Sequence, residues 1–512
     1  MALLEGIVET WQHTSTFQRL LYSLSLIAFT VWAQQLFKST KSSVYPFANT
    51  KKSDFTKNAR RLLIEGGQKF TGPFKVLTDS GPTIMLPPEH IDAINATDQL
   101  SFNAHVAHEF MAHFETFRVM RPPPPGMFGE AVIKGITRAL PKYTKPLSQE
   151  MIAALDDTWG DQQTWKQVKF AGDVQGWVSR ISTCIFLGPD FAHNKDWNGI
   201  MTSYTVNLFM AIGVTKVFHP AIRPVIDLIS PLNRKCRRDH TRAAAILKPV
   251  LEAREKEINA AEKEDRSPEL PDDSIEWFRN AAHGRAYQDT DLQLALAIAA
   301  IHTSSDLLCQ AILNFCAHSD IQTPLRQEAV DVLKKYGLQK VALTELRLLD
   351  SFFKETQRLK PINMASMHRS AMSDVTLPGT DINIFKGEQT AISSERMWNP
   401  EIYAEPEKFD AYRYIEKRKI PGWENKGLLV STSPEHIGFA HGKHACPGRF
   451  FAANEVKIAM LHVMLNYDMK IDRPEDAQCE TYGTAMFVRR GVKIWMRKRE
   501  AEVDLTALAN EL

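Results

Sequence analysis

Residues 289–318, DTDLQLALAIAAIHTSSDLLCQAILNFCAH, constrain the fold of this chain more than any other stretch. Apolar residues recur at helical spacing, but they surround the helix instead of keeping to one stripe. A helix that is apolar all round must be buried all round, so this one is expected to run through the centre of a protein. The rest of the chain then has to wrap it.

There is enough chain to do so: 512 residues, 44% hydrophobic and 24% charged, at a formal charge of +2. No Gly/Ser or Pro linker, low-complexity tract or internal repeat divides it, so one large domain is expected. Near-neutral charge, with no basic arm or zinc-finger spacing, argues against nucleic acid as a partner. The six cysteines, at 184, 236, 309, 316, 446 and 479, are scattered without pairing, which suits a reducing compartment.

Leu20 to Phe37 carries no charge and is bounded by Arg19 and Lys38. Its length is marginal for a spanning helix, which needs about 20 apolar residues. A signal peptide or a buried amphipathic helix would also account for it, although the preceding residues are acidic (Glu5, Glu9) and no small-residue cleavage site stands out. Lys38, Lys41, Lys51 and Lys52 follow, so the positive-inside rule places the bulk of the chain in the cytosol. On that side the glycosylation triplet Asn95-Ala-Thr would be incidental.

GPFKVLTDSGPTIMLPP, from Gly72 to Pro88, predicts two strands turning at Asp79-Ser80-Gly81. Residues 101–128 have the composition of a long loop ending in Pro122–Pro125. His108-Glu109-x3-His113 within it has one residue too many for a zinc-protease helix. From Gln149 to about Arg266 the pattern is mostly helical, broken near Gly188-Pro189 and His219-Pro220. VFHPAIRPVIDLISPL, from Val217, reads either as a membrane-dipping segment or as a surface loop. The basic run from Arg234 to Arg238 reads as a solvated helix face or a lipid-headgroup contact.

The chemistry concentrates in FAHGKHACPGR, Phe439–Arg449. One cysteine, Cys446, stands between Gly442 and Gly448 on a loop that opens into the helical pattern FFAANEVKIAMLHVML. Glycines let a backbone approach something flat and bulky. A helix N-terminus and peptide N–H groups favour a thiolate, and a thiolate is a soft ligand for iron. A zinc site from His436, His441, His444 and Cys446 lacks paired-ligand spacing. GFAHGKH lacks a spacer and a Ser or Thr needed for a phosphate loop.

Phe439, Gly442, His444, Cys446 and Gly448 match F-x-x-G-x-[H/K/R]-x-C-x-G and resemble the haem-binding signature of the cytochrome P450 superfamily. At ordinary composition this coincidence is expected roughly once in ten thousand chains of this length. The resemblance extends over nearly the whole chain. Ala299-Ala300-Ile301-His302-Thr303-Ser304 matches the family's A-G-x-[D/E]-T-[T/S] on the helix above the iron. It implies that Thr303 serves oxygen activation, with a threonine bonded back to its own helix as the alternative. His302 replaces the usual acid; an imidazole can relay protons, and a histidine that only packs there is the alternative. Glu355 and Arg358, in SFFKETQRLKP, share a helix face. With Arg413, in P-x-x-F-x-x-x-R from Pro406, the resemblance makes them a buried ion network under the cysteine loop.

His444 is implied as a haem-propionate partner, with His368 and Arg369 as a second contact and Lys134 and Arg138 as further candidates. Ile362–Met367 and Gly483–Phe487 are implied to line the substrate pocket, and Lys443 and Arg449 to help dock the electron donor. The implied architecture is mainly α with small β-sheets: a lumenal tail 1–19, an anchor helix 20–37, a linker 38–60 and a catalytic domain 61–512. The implied function is a haem b monooxygenase, with Cys446 as axial ligand to the iron. It would be anchored in the endoplasmic reticulum membrane and take up O2 and a small apolar molecule. The stretch after Cys446 is too short for a flavin domain, so electrons are expected from NADPH through a separate cytochrome P450 reductase. The A-A-I-H-T form resembles fungal members acting on terpenoid or other secondary-metabolite skeletons, including those of gibberellin biosynthesis. The alternatives are a haem-thiolate isomerase, dehydratase or peroxygenase, and a haem-binding sensor or carrier.

Overall fold

The structure, a computed structural model, describes Ser15 and residues 41–511. The expected anchor 20–37 lies outside the described residues, as does the tail before it apart from Ser15. The helices that position the site are α1 (Lys52–Lys69), α2 (Phe102–Glu109), α3 (Leu140–Thr158), α4 (Phe170–Leu187), α5 (Lys195–Val217), α6 (Pro231–Lys263), α7 (Asp289–Ala317), α8 (Ser319–Tyr336), α9 (Arg347–Leu359) and α10 (Arg449–Asn466).

Helix α7 is the central element that its apolar surface demands. It packs against α4, α5, α9 and α10, and every residue from Leu307 to Phe315 is buried. Each Leu or Ile removed from water there contributes roughly 1.5–3 kcal/mol. Helices α5 and α7 are both long and apolar enough to cross a membrane. Since α7 threads the domain and α5 packs on α4, α6 and α7, neither is read as a span. Gly188, at φ +93°, separates α4 from the turn that begins at Pro189. Helix α5 stops at Val217, two residues short of His219-Pro220.

The predicted hairpin is present as β1 (Phe74–Thr78) and β2 (Gly81–Leu86), with Gly81 at φ +121° in the turn. It joins β3 (Leu100–Ser101), β5 (Ala365–Ala371) and β8 (Gln389–Ser393) in a sheet of order β1-β2-β8-β5-β3. Strand β8 is parallel to β2 and antiparallel to β5. Between Ser366 and Arg369 the β5 register slips by a bulge, with Met367 at φ +53°. Smaller sheets pair β4 (Lys166–Val168) and β9 (Tyr467–Ile471) with β12 (Ile494–Lys498), β6 (Val375–Thr376) with β7 (Asn383–Ile384), and β10 (Cys479–Tyr482) with β11 (Ala485–Val488).

Residues 101–128 depart from the long loop expected of them. Ser101 caps α2 by accepting from the Ala104 N–H. A 3-10 segment, Glu115–Met120, then buries Phe117 and Val119. Their side chains face the core, which fixes backbone that composition alone leaves undefined.

Candidate active site

The cysteine loop is closed by its own backbone and by neighbours distant in sequence. The Cys446 N–H donates to Phe439 O at 2.9 Å. Gly442 has φ +72°, and a Cβ there would fall 2.1 Å from Asn95 Nδ2. The Asn95 amide donates to His441 O at 3.3 Å, and His441 Nδ1 shares a hydrogen bond with Thr432 at 2.8 Å. The Thr137 hydroxyl donates to Pro447 O at 3.0 Å, seating the segment that carries Lys134 and Arg138 on the loop. Burial raises the Cys446 thiol above its ordinary pKa, while the Gly448 and Arg449 backbone N–H groups and the Arg449 charge work against it.

Arg449 faces inward. Its guanidinium donates to Val430 O at 3.1 Å and Cys446 O at 2.8 Å, so it holds the loop together instead of standing free for a docking partner. Lys443 stays exposed, 3.6 Å from Asp98.

Helix α9 carries the scaffold beneath. Arg358 binds both Glu355 oxygens, at 2.7 and 2.9 Å, and both residues are fully buried. Arg413 reaches Glu355 at 2.9 Å and donates to Ala404 O; Arg358 donates to Met397 O. The same helix grips the chain ahead of the cysteine: Lys354 donates to Leu428 O and Ser431 O, both at 2.7 Å. A Cβ on Gly438 would lie 2.4 Å from Gln357. One helix therefore joins the ion network to the loop.

On α7 the face bearing Ala299 and Thr303 is exposed in mid-helix, although Ile298, Ile301 and Ser304 around it are buried. The Thr303 hydroxyl donates to Ala299 O at 2.8 Å, leaving its oxygen as an acceptor. The His302 ring lies 5.4 Å from that of Phe209 in α5. Burial holds its pKa down, the Thr205 backbone opposing, and its Nε2 has no partner. Ile362–Met367 and Gly483–Phe487 run side by side: Met364 N–H donates to Thr484 O at 2.7 Å and Met486 N–H to Ile362 O at 3.1 Å.

The strongest sign of a missing anion is Arg369. It is 2% exposed, donates only to His368 O at 2.7 Å, and leaves Nε and one terminal nitrogen without partners. Burial pushes it down to about 10. Burial and the Arg369 charge both depress the His444 imidazole, burial more, with the Asp98 carboxylate opposing, so a neutral imidazole stands near a guanidinium that has no carboxylate partner. A buried unpaired guanidinium is costly until an anion arrives. His368 stacks on His105 of α2 at 4.6 Å and bonds Ala365 O; the bulge at Met367 turns it there. Lys134 pairs with Glu130, and Arg138 is exposed.

These residues fit haem. A thiol lies on a glycine loop at a helix N-terminus, small residues open the central helix, and the partnerless Arg369 guanidinium suits a propionate. The combination defines a haem-thiolate protein. The chain matches the cytochrome P450 family over residues 131–494 and belongs to it. It is 37% identical over 462 residues to cytochrome P450 monooxygenase hepE of Aspergillus oryzae, covering 88% of this chain and 83% of that one. It is 36% identical over 462 residues to cytochrome P450 monooxygenase esdpI of Penicillium shearii, covering 89% of each. The fold is also that of retinoic acid-bound cyanobacterial CYP120A1, with TM-score 0.65, 17% identity and coverage of 90% and 100%. The protein is a cytochrome P450 monooxygenase using haem.

Proposed function

We propose that this monooxygenase inserts one atom of O2 into an apolar terpenoid or related fungal secondary-metabolite intermediate, with electrons from NADPH through a separate reductase at the endoplasmic reticulum membrane. The observation that carries the reading is the buried, partnerless Arg369 beside His444, together with Cys446 on its glycine loop. Cys446 would hold the haem iron, with Phe439, Gly442 and Gly448 shaping the loop; Arg369 and His444 would receive the propionates, with Arg138 and His368 as further contacts. Thiolate-ligated haem supplies activation of O2 and attack on an unactivated C–H bond. Thr303 presents a hydroxyl oxygen on the oxygen side, and His302 with Phe209 forms part of the roof over the substrate. Glu355, Arg358 and Arg413 are structural.

Residues 61–512 form the catalytic domain in this reading, following the anchor 20–37 and linker 38–60. Membrane placement is supported by an exposed apolar edge at the end of α5 and beyond it: Val217, Ile222, Val225, Leu228 and Ile229 are 46–83% exposed. Such a contiguous edge suits a bilayer surface. The terpenoid class rests on the A-A-I-H-T form of α7 and on fungal relatives.

The test is the carbon monoxide difference spectrum of the reduced, detergent-solubilised protein beside Cys446→Ser. A strongly red-shifted Soret band in the wild type, absent from the variant, supports the reading. A wild type showing only the blue-shifted band of a neutral axial ligand overturns it.

A further inference from the structure

Monooxygenation sends one oxygen atom into the product and the other into water, so each turnover consumes protons as well as electrons at a buried site. Thr303 cannot be their source in the observed conformation, because its hydroxyl hydrogen is held by Ala299 O. Asp306 stands three residues on, on the same face of α7, where i and i+3 side chains are neighbours. The Val488 backbone of β11 and the Gln310 side chain lie on its carboxyl side and favour the ionised form, against burial. It is half-buried, next to the exposed Thr303, in a helix whose other surfaces are mostly apolar.

The polar character persists along that face. Gln310 and Asn314 follow at one-turn intervals, both buried, and Gln310 Nε2 has no partner. Asn314 Oδ1 accepts from Lys360 Nζ at 2.5 Å, and Lys360 also donates to Ala477 O at 2.7 Å. The Lys360 ammonium just past the end of α9 favours the ionised Asp306, and the Asp306 charge in turn acts on the Cys479 thiol of β10 and the Cys309 thiol on α7 itself. Burial raises both thiols, so they stay neutral.

We propose that Asp306, and not His302, supplies protons to the Thr303 side of the site and is refilled from Lys360 along the face that Gln310 and Asn314 keep polar. In each delivery the Asp306 O–H bond breaks and its proton passes to the oxygen side. The carboxylate then takes a proton that the Lys360 ammonium gives up, and the amine recovers one from water; no electron moves. Burial pushes Asp306 up to about 7 and Lys360 down to about 8, so the two exchange a proton near neutrality. Glu455 is also pushed up to about 7, but it is fully buried on α10 against Ser182 and Ser304, away from the accessible face. The proposal rests on the reading of Thr303 as the oxygen-side residue.

Infrared spectra of the full-length holoenzyme, taken in light and heavy water between about pH 5 and pH 9, test it first. The wild type should show a carboxylic-acid carbonyl band that fades as pH rises through about 7 and is missing from Asp306→Asn but present in Glu455→Gln. A band that survives Asp306→Asn and is lost in Glu455→Gln overturns the proposal.

The second test turns the holoenzyme over with reductase and NADPH on farnesol, a terpenoid probe, and measures hydrogen peroxide released per NADPH. Asp306→Asn should raise that ratio by about tenfold or more and flatten its pH dependence, and Asp306→Glu should restore both. If Asp306→Asn behaves as wild type while Thr303→Ala releases peroxide, the proposal fails alone. If Thr303→Ala also behaves as wild type, the oxygen-side reading fails with it. Should Asp306→Asn not bind haem, a wild-type ratio independent of pH would overturn the proposal, and a rise through about pH 7 retained by Asp306→Glu would support it.

Discussion

A Cβ at position 442 would meet Asn95 at 2.1 Å from a backbone already at φ +72°, so Gly442→Ala carries two separate penalties. The left-handed conformation costs about 1–3 kcal/mol, and Asn95 must release His441 O. Gly442→Ala should lower both the urea midpoint and the haem content, and adding Asn95→Ala should recover only part of each. Arg369 gives a prediction of opposite sign in the two states. With haem absent its charge is buried without an anion, so Arg369→Met should raise the urea midpoint of the haem-free protein. The same substitution should speed haem transfer to apomyoglobin. Equal midpoints would mean that the guanidinium is solvated after all. The sequence pointed to Cys446 and Thr303 by motif and to Arg369 by its position in the family. It was silent on Asn95, on the inward turn of Arg449 and on Asp306, because those roles depend on partners far away in sequence. The signal for Asp306 was nonetheless present: an acid inside an apolar helix, one turn from Thr303.

Helix α9 shows why an E-x-x-R pair weighs more than its two residues. Glu355→Gln would leave two buried guanidiniums around a neutral amide, which should cost about 3–5 kcal/mol, read as a fall in denaturant midpoint with the slope unchanged. Helix α10 carries a pH-dependent element. His462 is buried, bonded to Ser148 at 2.8 Å, and pushed down to about 3 by burial. Its folded pKa lies below its unfolded value, so its contribution is full above about pH 6.5 and is lost as pH falls toward about 3. His462→Gln should flatten the acid limb of a stability profile over that window. At this scale the sequence located α7, α9, α10 and the β1–β2 hairpin, whose periodicities are strong. It missed α2, an eight-residue helix with a single cap, and the bulge at Met367, whose cause is sheet register and not local propensity.

At the scale of the molecule, exposed apolar side chains gather along one edge of the described residues, from Val217 to Ile229. If that edge lies in lipid, replacing Leu228 and Ile229 together by Lys in the full chain should raise KM several-fold for a substrate that partitions into membranes. It should leave kcat and the carbon monoxide spectrum unchanged. A fall in kcat with KM constant would place the edge elsewhere. The fold itself was legible because the motifs around Cys446, Thr303, Glu355 and Arg413 resemble one family in order along nearly the whole chain, and the helix apolar all round agrees with its central helix.

If the chain is anchored in a membrane as proposed, Asn95 ties its orientation to the site. It heads the triplet Asn95-Ala-Thr, yet its amide is already engaged with His441 O. A sugar attached there would remove that donor and wedge against the loop that presents the thiolate. A copy threaded into the membrane the wrong way round would therefore be marked at Asn95 as it emerged into the lumen, and would lose the geometry needed to take up haem. Topology and cofactor loading are tied through a single amide, so a misoriented molecule would be inert and not merely misplaced.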